Sequence, residues 1–175
     1  MSTNLKTIQS GADVEIRPPL PSDGPAVTRL IKDSPPLDLN SAYCNLLQCS
    51  HFAATSASAY SGDVLMGFVS GYRLPGRANT LFIWQVAVSE QARGLGLARA
   101  MLGDIVERSE NRDLCWLETS ITAANSASWA MFQGFARSRN AVVRRSVMFG
   151  RDEHFAGSHE TEYLLRIGPL RRSVA

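Results

Sequence analysis

The chain has 175 residues, 45% of them apolar, and 18 Lys and Arg against 16 Asp and Glu give it a formal charge of +2. That length and apolar share suit one compact domain with a sizeable core. A charge so near balance, with arginines scattered along the chain, gives no basis for a nucleic-acid partner, and no apolar run approaches membrane-spanning length.

The N-terminus, "MSTNLKTIQSGAD", is polar and lacks the apolar core of a secretory signal, so residues 1–12 read as a short flexible leader. A single domain is expected over 13–170, with a tail at 171–175. Three cysteines, an odd number, argue for a reducing compartment, and the cytoplasm is the expected location.

In chain order, "DVEIRPP" from Asp13 is a short strand stopped by prolines. Ser22 or Asp23 then caps a helix to about Lys32, with Pro25 in its first turn. "DSPPLDLN" (33–40) breaks the chain, because each proline lacks an amide donor and restricts the residue before it. A second short helix fits 43–49. "TSASAYSGDVLMGFVSGYR" reads as a hairpin turning at Ser61, Gly62 and Asp63, followed by the strand 64–73, and "LPGRAN" reads as a loop. "TLFIWQVAVS" (80–89) has strand composition and is apolar on both faces up to Gln85, as a central strand is. Leu97, Met101, Leu102, Ile105 and Val106 recur at helical spacing. "LCWLETS" (114–120) is a strand with Cys115 expected in the core, Asn125 caps a helix through Phe132, and two last strands fit 142–148 and 160–167. Strands, helices and a strand–helix–strand unit in this order predict an α/β fold with a mixed sheet.

Directly after the central strand stands "QARGLGLA" (91–98). A strand running through a glycine-rich turn into a helix presents unpaired amides and the positive end of the helix dipole, which makes an anion site. A P-loop needs Lys and then Ser or Thr after its second glycine, and here Leu97 follows Gly96. A dinucleotide fingerprint needs Gly or Ala where Arg99 stands. What remains is Gln/Arg-x-x-Gly-x-Gly/Ala, met by Gln91, Gly94 and Gly96.

This motif resembles the acetyl-CoA pyrophosphate loop of the GNAT N-acetyltransferases, and the element order over 14–167 is similar to theirs. The resemblance implies the GNAT fold, a mixed and mostly antiparallel sheet flanked by helices with a splayed central strand pair. It implies Val86 and Val88 as pantetheine partners and Arg93, Gly94, Leu95, Gly96, Leu97 and Ala98 as phosphate partners, with Asn125 from the next helix also on the cofactor. That helix, "NSASWAMFQGF", keeps Asn125 and the Gly134-Phe135 pair but has Phe132 near the place of the family's acidic tyrosine. Tyr43 and Tyr163 are the alternatives for protonating the CoA thiolate.

Three longer stretches, "PLDLNSAYCNLLQCSHFAATS", "LFIWQVAVSEQARGLGLARAML" and "HETEYLLRIGPL", resemble the diaminobutyrate acetyltransferases of ectoine synthesis. The resemblance implies acetyl transfer from acetyl-CoA to the 4-amino group of L-2,4-diaminobutyrate, in a homodimer. The substrate's two ammonium groups and one carboxylate call for acidic and polar partners, and Asp38, Trp84, Glu118, Thr119 and His159 are of the right kinds. Trp84 offers a face for an ammonium, and a carboxylate inside "CWLETS" is costly unless used. The amine is protonated near pH 10, so a carboxylate must take its proton before attack in a ternary complex; Glu118 is the expected base, with Tyr43 the second catalytic candidate and the Val86 amide on the oxyanion. Cys44, Cys49 and His51 fit no familiar zinc spacing, so no metal is expected. His154 is read as a surface residue, and Arg144-Arg145 and Arg171-Arg172 as solvated faces. A GNAT enzyme acting on another small diamine or diamino acid, or a non-catalytic acetyl-CoA sensor, fits the same cofactor motif.

Overall fold

The computed structural model describes residues 4–7 and 13–170. The rest of the leader, the tail at 171–175 and Arg171-Arg172 with it lie outside the described residues. Backbone contacts divide the chain into two compact units, Met1–Tyr72 with Gln85–Arg112, and Arg73–Trp84 with Asp113–Ala175.

The first unit carries β1 (Asn4–Thr7), β2 (Asp13–Arg17), α1 (Gly24–Lys32), α2 (Ala42–Ser50), β3 (Ala57–Ser61), most of β4 (Val64–Leu74), the end of β5 (Arg77–Val88) and α3 (Leu97–Glu107). Strands β1 to β4 lie side by side in chain order, each antiparallel to the next. Four leader residues therefore belong to the sheet, contrary to expectation: Asn4–Thr7 pairs with Asp13–Ile16 and occupies hydrogen-bonding groups that the edge of β2 would otherwise leave open. A core of Val27, Leu30, Ile31, Cys49, Leu65, Phe68 and Ala87 fills the unit. The predicted stripe on α3 is buried in full. Gly67 on β4 lets α3 come close, since a Cβ there would stand 2.8 Å from Met101 Cε.

Asp23 takes the N-cap position of α1, but its side chain makes no cap bond. It is drawn to a buried cluster instead. Arg17 donates to both its oxygens at 2.8 and 3.0 Å, the Leu20 amide donates at 2.8 Å and the Tyr60 hydroxyl at 2.9 Å. Burial raises the Asp23 carboxyl, yet these donors outweigh it and hold it below its ordinary value. Burial, aided by Asp23, pushes the Tyr60 phenol up to about 12.

The second unit carries the start of β5, β6 (Trp116–Thr122), α4 (Ser126–Ser138), β7 (Val142–Phe149), α5 (Arg151–Phe155) and β8 (Glu162–Gly168). Its strands run in the order β5-β6-β8-β7, parallel between β5 and β6 and antiparallel elsewhere. Helix α4 continues past Phe132 to Ser138, because Gly134 sits in its interior rather than ending it. The "LPGRAN" segment is likewise shorter as a loop than expected: β5 begins at Arg77, leaving Pro75 and Gly76 as a two-residue turn. Cys115 is exposed, since the strand begins only at Trp116. Among the described residues no helix is long and apolar enough to cross a membrane.

Candidate active site

The first unit presents the cofactor corner. Strand β5 pairs with β6 only from Thr80–Ile83 against Trp116–Thr119, although β5 runs on to Val88 and β6 to Thr122. Among the described residues the ladder with β6 ends at Ile83, and Val86 and Val88 further along β5 are half-buried. After Ser89 the chain makes one tight turn and enters α3. Gly94 and Gly96 both hold left-handed φ angles, 78° and 79°, which favour glycine, and Gly96 is the N-cap of the helix. Among the described residues no hydrogen bond reaches the amides of Gly94, Leu95 or Gly96, and Leu97 and Ala98 open the first turn, where a helix leaves its amides unpaired. Arg93 is exposed and folds its Nε back to the Val88 carbonyl at 3.3 Å. Such a run of donors at a helix N-terminus suits a pyrophosphate.

The same unit holds the proline-rich segment in place through a residue the sequence reading passed over. Gln85, almost fully buried, donates from Nε2 to the Asp38 carbonyl at 2.8 Å and accepts from Asn40 Nδ2 at 2.6 Å. The Asp38 backbone is thus pinned while its side chain stays exposed. Tyr43 stands on α2, 70% exposed. A polar side chain in an otherwise apolar central strand was the signal for Gln85. Burial pushes the Cys49 thiol up to about 12. Among the described residues no group of three or more His, Cys, Asp and Glu is placed to hold a metal.

The second unit gathers the acceptor candidates on β6 and β8. Glu118 is 1% exposed, and both its oxygens are taken by the fork of Arg77, at 2.7 and 3.0 Å. Arg166 lies directly opposite Glu118 on β8, its Nε 3.5 Å from Glu118 Oε1. The expected proton acceptor is therefore already committed to two guanidinium groups. Thr119 follows Glu118 on the strand and so faces the other side of the sheet, the side of its β8 partner Leu165. Glu118 and Thr119 do not share a surface. Trp84 is half exposed on β5.

His159 precedes β8, and its ring lies 4.7 Å from that of Phe155. Its Nδ1 is 2.7 Å from the Glu160 carbonyl, which only accepts, so we assign the proton to Nδ1; in the neutral ring Nε2 is then bare. That bare nitrogen is 3.9 Å from Glu162 Oε1, and Glu162 Oε2 is buried with no hydrogen-bond partner. In that neutral form both atoms are acceptors. An ammonium group supplies what they lack. Glu162 was missed in the sequence, although it stands three residues after His159 in the most distinctive C-terminal stretch.

Other expectations resolve structurally. Asn125 spends its Oδ1 on the Ser128 amide at 3.0 Å as the cap of α4. His154 accepts from the Gly150 amide at 3.0 Å within α5. Phe132 is 2% exposed and has no proton to give. Arg145 is not merely solvated, since its guanidinium lies 3.7 Å over the Tyr163 ring and 5.0 Å over that of Trp129.

The family profile described as acetyltransferase (GNAT) family matches residues 25–135, a span that enters both units. The chain belongs to the GNAT acetyltransferase family. Its relatives include the L-2,4-diaminobutyric acid acetyltransferase of Methylotuvimicrobium alcaliphilum, 51% identical over 158 residues and covering 90% of this chain and 92% of that one. The enzyme of the same name from Vibrio cholerae is 48% identical and covers 90% of each chain. Among solved structures, diaminobutyrate acetyltransferase EctA from Paenibacillus lautus, in complex with L-2,4-diaminobutyric acid and coenzyme A, superposes with a TM-score of 0.86 at 35% identity. It covers 94% of this chain and 100% of its own.

Proposed function

We propose that the protein transfers acetyl from acetyl-CoA to the 4-amino group of L-2,4-diaminobutyrate, a step of ectoine synthesis, in a ternary complex. The observation that carries this reading is Glu162, 3.9 Å from His159 Nε2 and with its Oε2 buried and, among the described residues, without a hydrogen-bond partner, which we read as a seat for the reacting ammonium. The likeness to the Paenibacillus lautus enzyme with this amino acid and coenzyme A supports the choice of substrate.

In the mechanism, the free amides of 94–98 hold the pyrophosphate, and the open edge of β5 at Val86 and Val88 holds the pantetheine arm. Glu162, with one oxygen unpartnered and His159 beside it, takes the amine's proton. Glu118 is left to hold Arg77 and Arg166. The Val86 amide is the donor to the tetrahedral oxyanion. Tyr43, whose hydroxyl makes no hydrogen bond among the described residues, is the donor we assign to the CoA thiolate. Asp38, whose backbone Gln85 pins, and Trp84 are further residues we assign to the substrate.

We also read residues 13–170 as one catalytic domain acting in the cytoplasm as a homodimer, without nucleic acid or membrane. Strand β7 supports the dimer: it ends the sheet of its unit and exposes Val142 and Val147 by 57% and 60%, with Val143 and Phe149 partly bare. An open apolar edge is a pairing surface that proteins otherwise protect. Val147→Asp is expected to yield monomer in sedimentation. The function itself is tested by CoA release on L-2,4-diaminobutyrate, ornithine and putrescine in parallel. Diaminobutyrate should turn over fastest; a preference for putrescine would replace this reading with that of a general diamine acetyltransferase.

A further inference from the structure

Residues 38–40, which lead toward α2, are held by side chains rather than by main chain. Among the described residues no backbone-to-backbone hydrogen bond reaches them, and Asp38 and Leu39 are exposed. Their support is an unbroken run of hydrogen bonds within the first unit. Thr28 of α1 donates from Oγ1 to the Gly24 carbonyl at 2.9 Å and accepts from Asn45 Nδ2 at 3.0 Å. Asn45, 1% exposed on α2, accepts in turn from Asn40 Nδ2 at 3.3 Å. Asn40 Nδ2 also donates to Gln85 Oε1 at 2.6 Å, and Gln85 Nε2 returns to the segment at the Asp38 carbonyl, 2.8 Å away.

The two ends fix the direction of every bond between them. The Gly24 carbonyl only accepts, so Thr28 donates to it and keeps its oxygen for Asn45 Nδ2, which turns Asn45 Oδ1 toward Asn40. The Asp38 carbonyl also only accepts, so Gln85 gives it Nε2 and turns Oε1 toward Asn40. Both halves thus meet Asn40 with an oxygen, and its amino group, with a hydrogen for each, satisfies both. Asn45 and Gln85 are buried, where a polar atom left unpaired is costly. The run orders the main chain of 38–40 before any ligand arrives, so the freedom of an exposed arm is lost on folding and not on binding.

We propose that Asn40 and Asn45 are positioning residues of the acceptor site: they fix the backbone that carries Asp38, and so set the affinity for the acceptor without entering the chemical step. The inference rests on the function proposed above, in which Asp38 is assigned to the substrate.

Asn40→Asp keeps the shape of the side chain but sets an acceptor against two others, whereas Asn40→Ala, at a half-buried position, leaves a gap that water can fill. Asn40→Asp should raise KM for L-2,4-diaminobutyrate about 10- to 30-fold, and Asn40→Ala and Asn45→Ala about three- to tenfold. In all three, kcat and the calorimetric affinity for acetyl-CoA should change by about twofold or less. In an Asp38→Ala background Asn40→Asp should have no further effect on that KM, because the arm then carries nothing to place. Losses of kcat and acetyl-CoA affinity alongside acceptor KM would mark a merely structural role and overturn the proposal. So would an Asn40→Asp enzyme no weaker than Asn40→Ala, or a full effect of Asn40→Asp in the Asp38→Ala background. An Asp38→Ala enzyme with the wild-type KM removes this inference alone. A wild-type enzyme that binds acetyl-CoA but does not turn over diaminobutyrate removes the proposed function, and this inference with it.

Discussion

The cofactor corner and the acceptor residues are built from different parts of the chain's chemistry. The corner uses consecutive residues and mostly backbone: two left-handed glycines, the amides after them and the first turn of α3. The acceptor group we propose uses side chains from separated places, among them Glu118, His159 and Glu162. A site made of backbone tolerates exchange of its side chains as long as φ is preserved. A site made of side chains depends on the identity of each. Substitutions therefore should separate the two regions by what they change, acetyl-CoA binding in one and turnover or acceptor choice in the other.

The largest effect is expected at Glu162. Glu162→Gln should lower kcat by about 10²- to 10⁴-fold, the usual contribution of a positioned base, with acetyl-CoA affinity in calorimetry unchanged. Glu118→Gln should instead lose stability, because it removes the buried carboxylate that holds the part-exposed Arg77 and Arg166. If Glu118→Gln abolished turnover with the acceptor KM intact and Glu162→Gln did not, the two carboxylates would exchange roles.

Next comes the charge cluster that frames the first unit. Asp23→Asn should cost about 3 kcal/mol in denaturant unfolding, since it leaves the part-buried Arg17 without its partner. The pH dependence follows from the lowered Asp23 carboxyl. Its contribution is complete above the ordinary value of 3.8 and is lost as pH falls through the lower folded value, so the wild-type advantage over Asp23→Asn should fade below about pH 4.

Gly96→Val forces a branched residue to a φ of 79° and should raise KM for acetyl-CoA roughly tenfold without altering which amine reacts. The smallest effect is expected from Gln85→Leu, which releases the Asp38 carbonyl and Asn40; acceptor KM should rise by roughly three- to tenfold.

The same contrast explains what the sequence made legible. The α3 stripe and the glycine corner are local patterns, and each stands where the residues imply it. The helix cap made by Asn125 was legible, but the ion pair held by Glu118 was not, because it is set by neighbours that spacing does not reveal. Glu162 and Arg166 looked like ordinary strand residues. Only the antiparallel register of β8 with β6 and β7 sets Arg166 in one row with Glu118 and Arg144, and Glu162 opposite Thr122 and Phe149.

The most direct test of the whole account is turnover of acetyl-CoA with ¹⁵N-labelled L-2,4-diaminobutyrate, followed by NMR assignment of the acetylated nitrogen. The account predicts rapid CoA release with acetyl on the 4-nitrogen. Acetyl on the 2-nitrogen, or bound acetyl-CoA with no release, would contradict it.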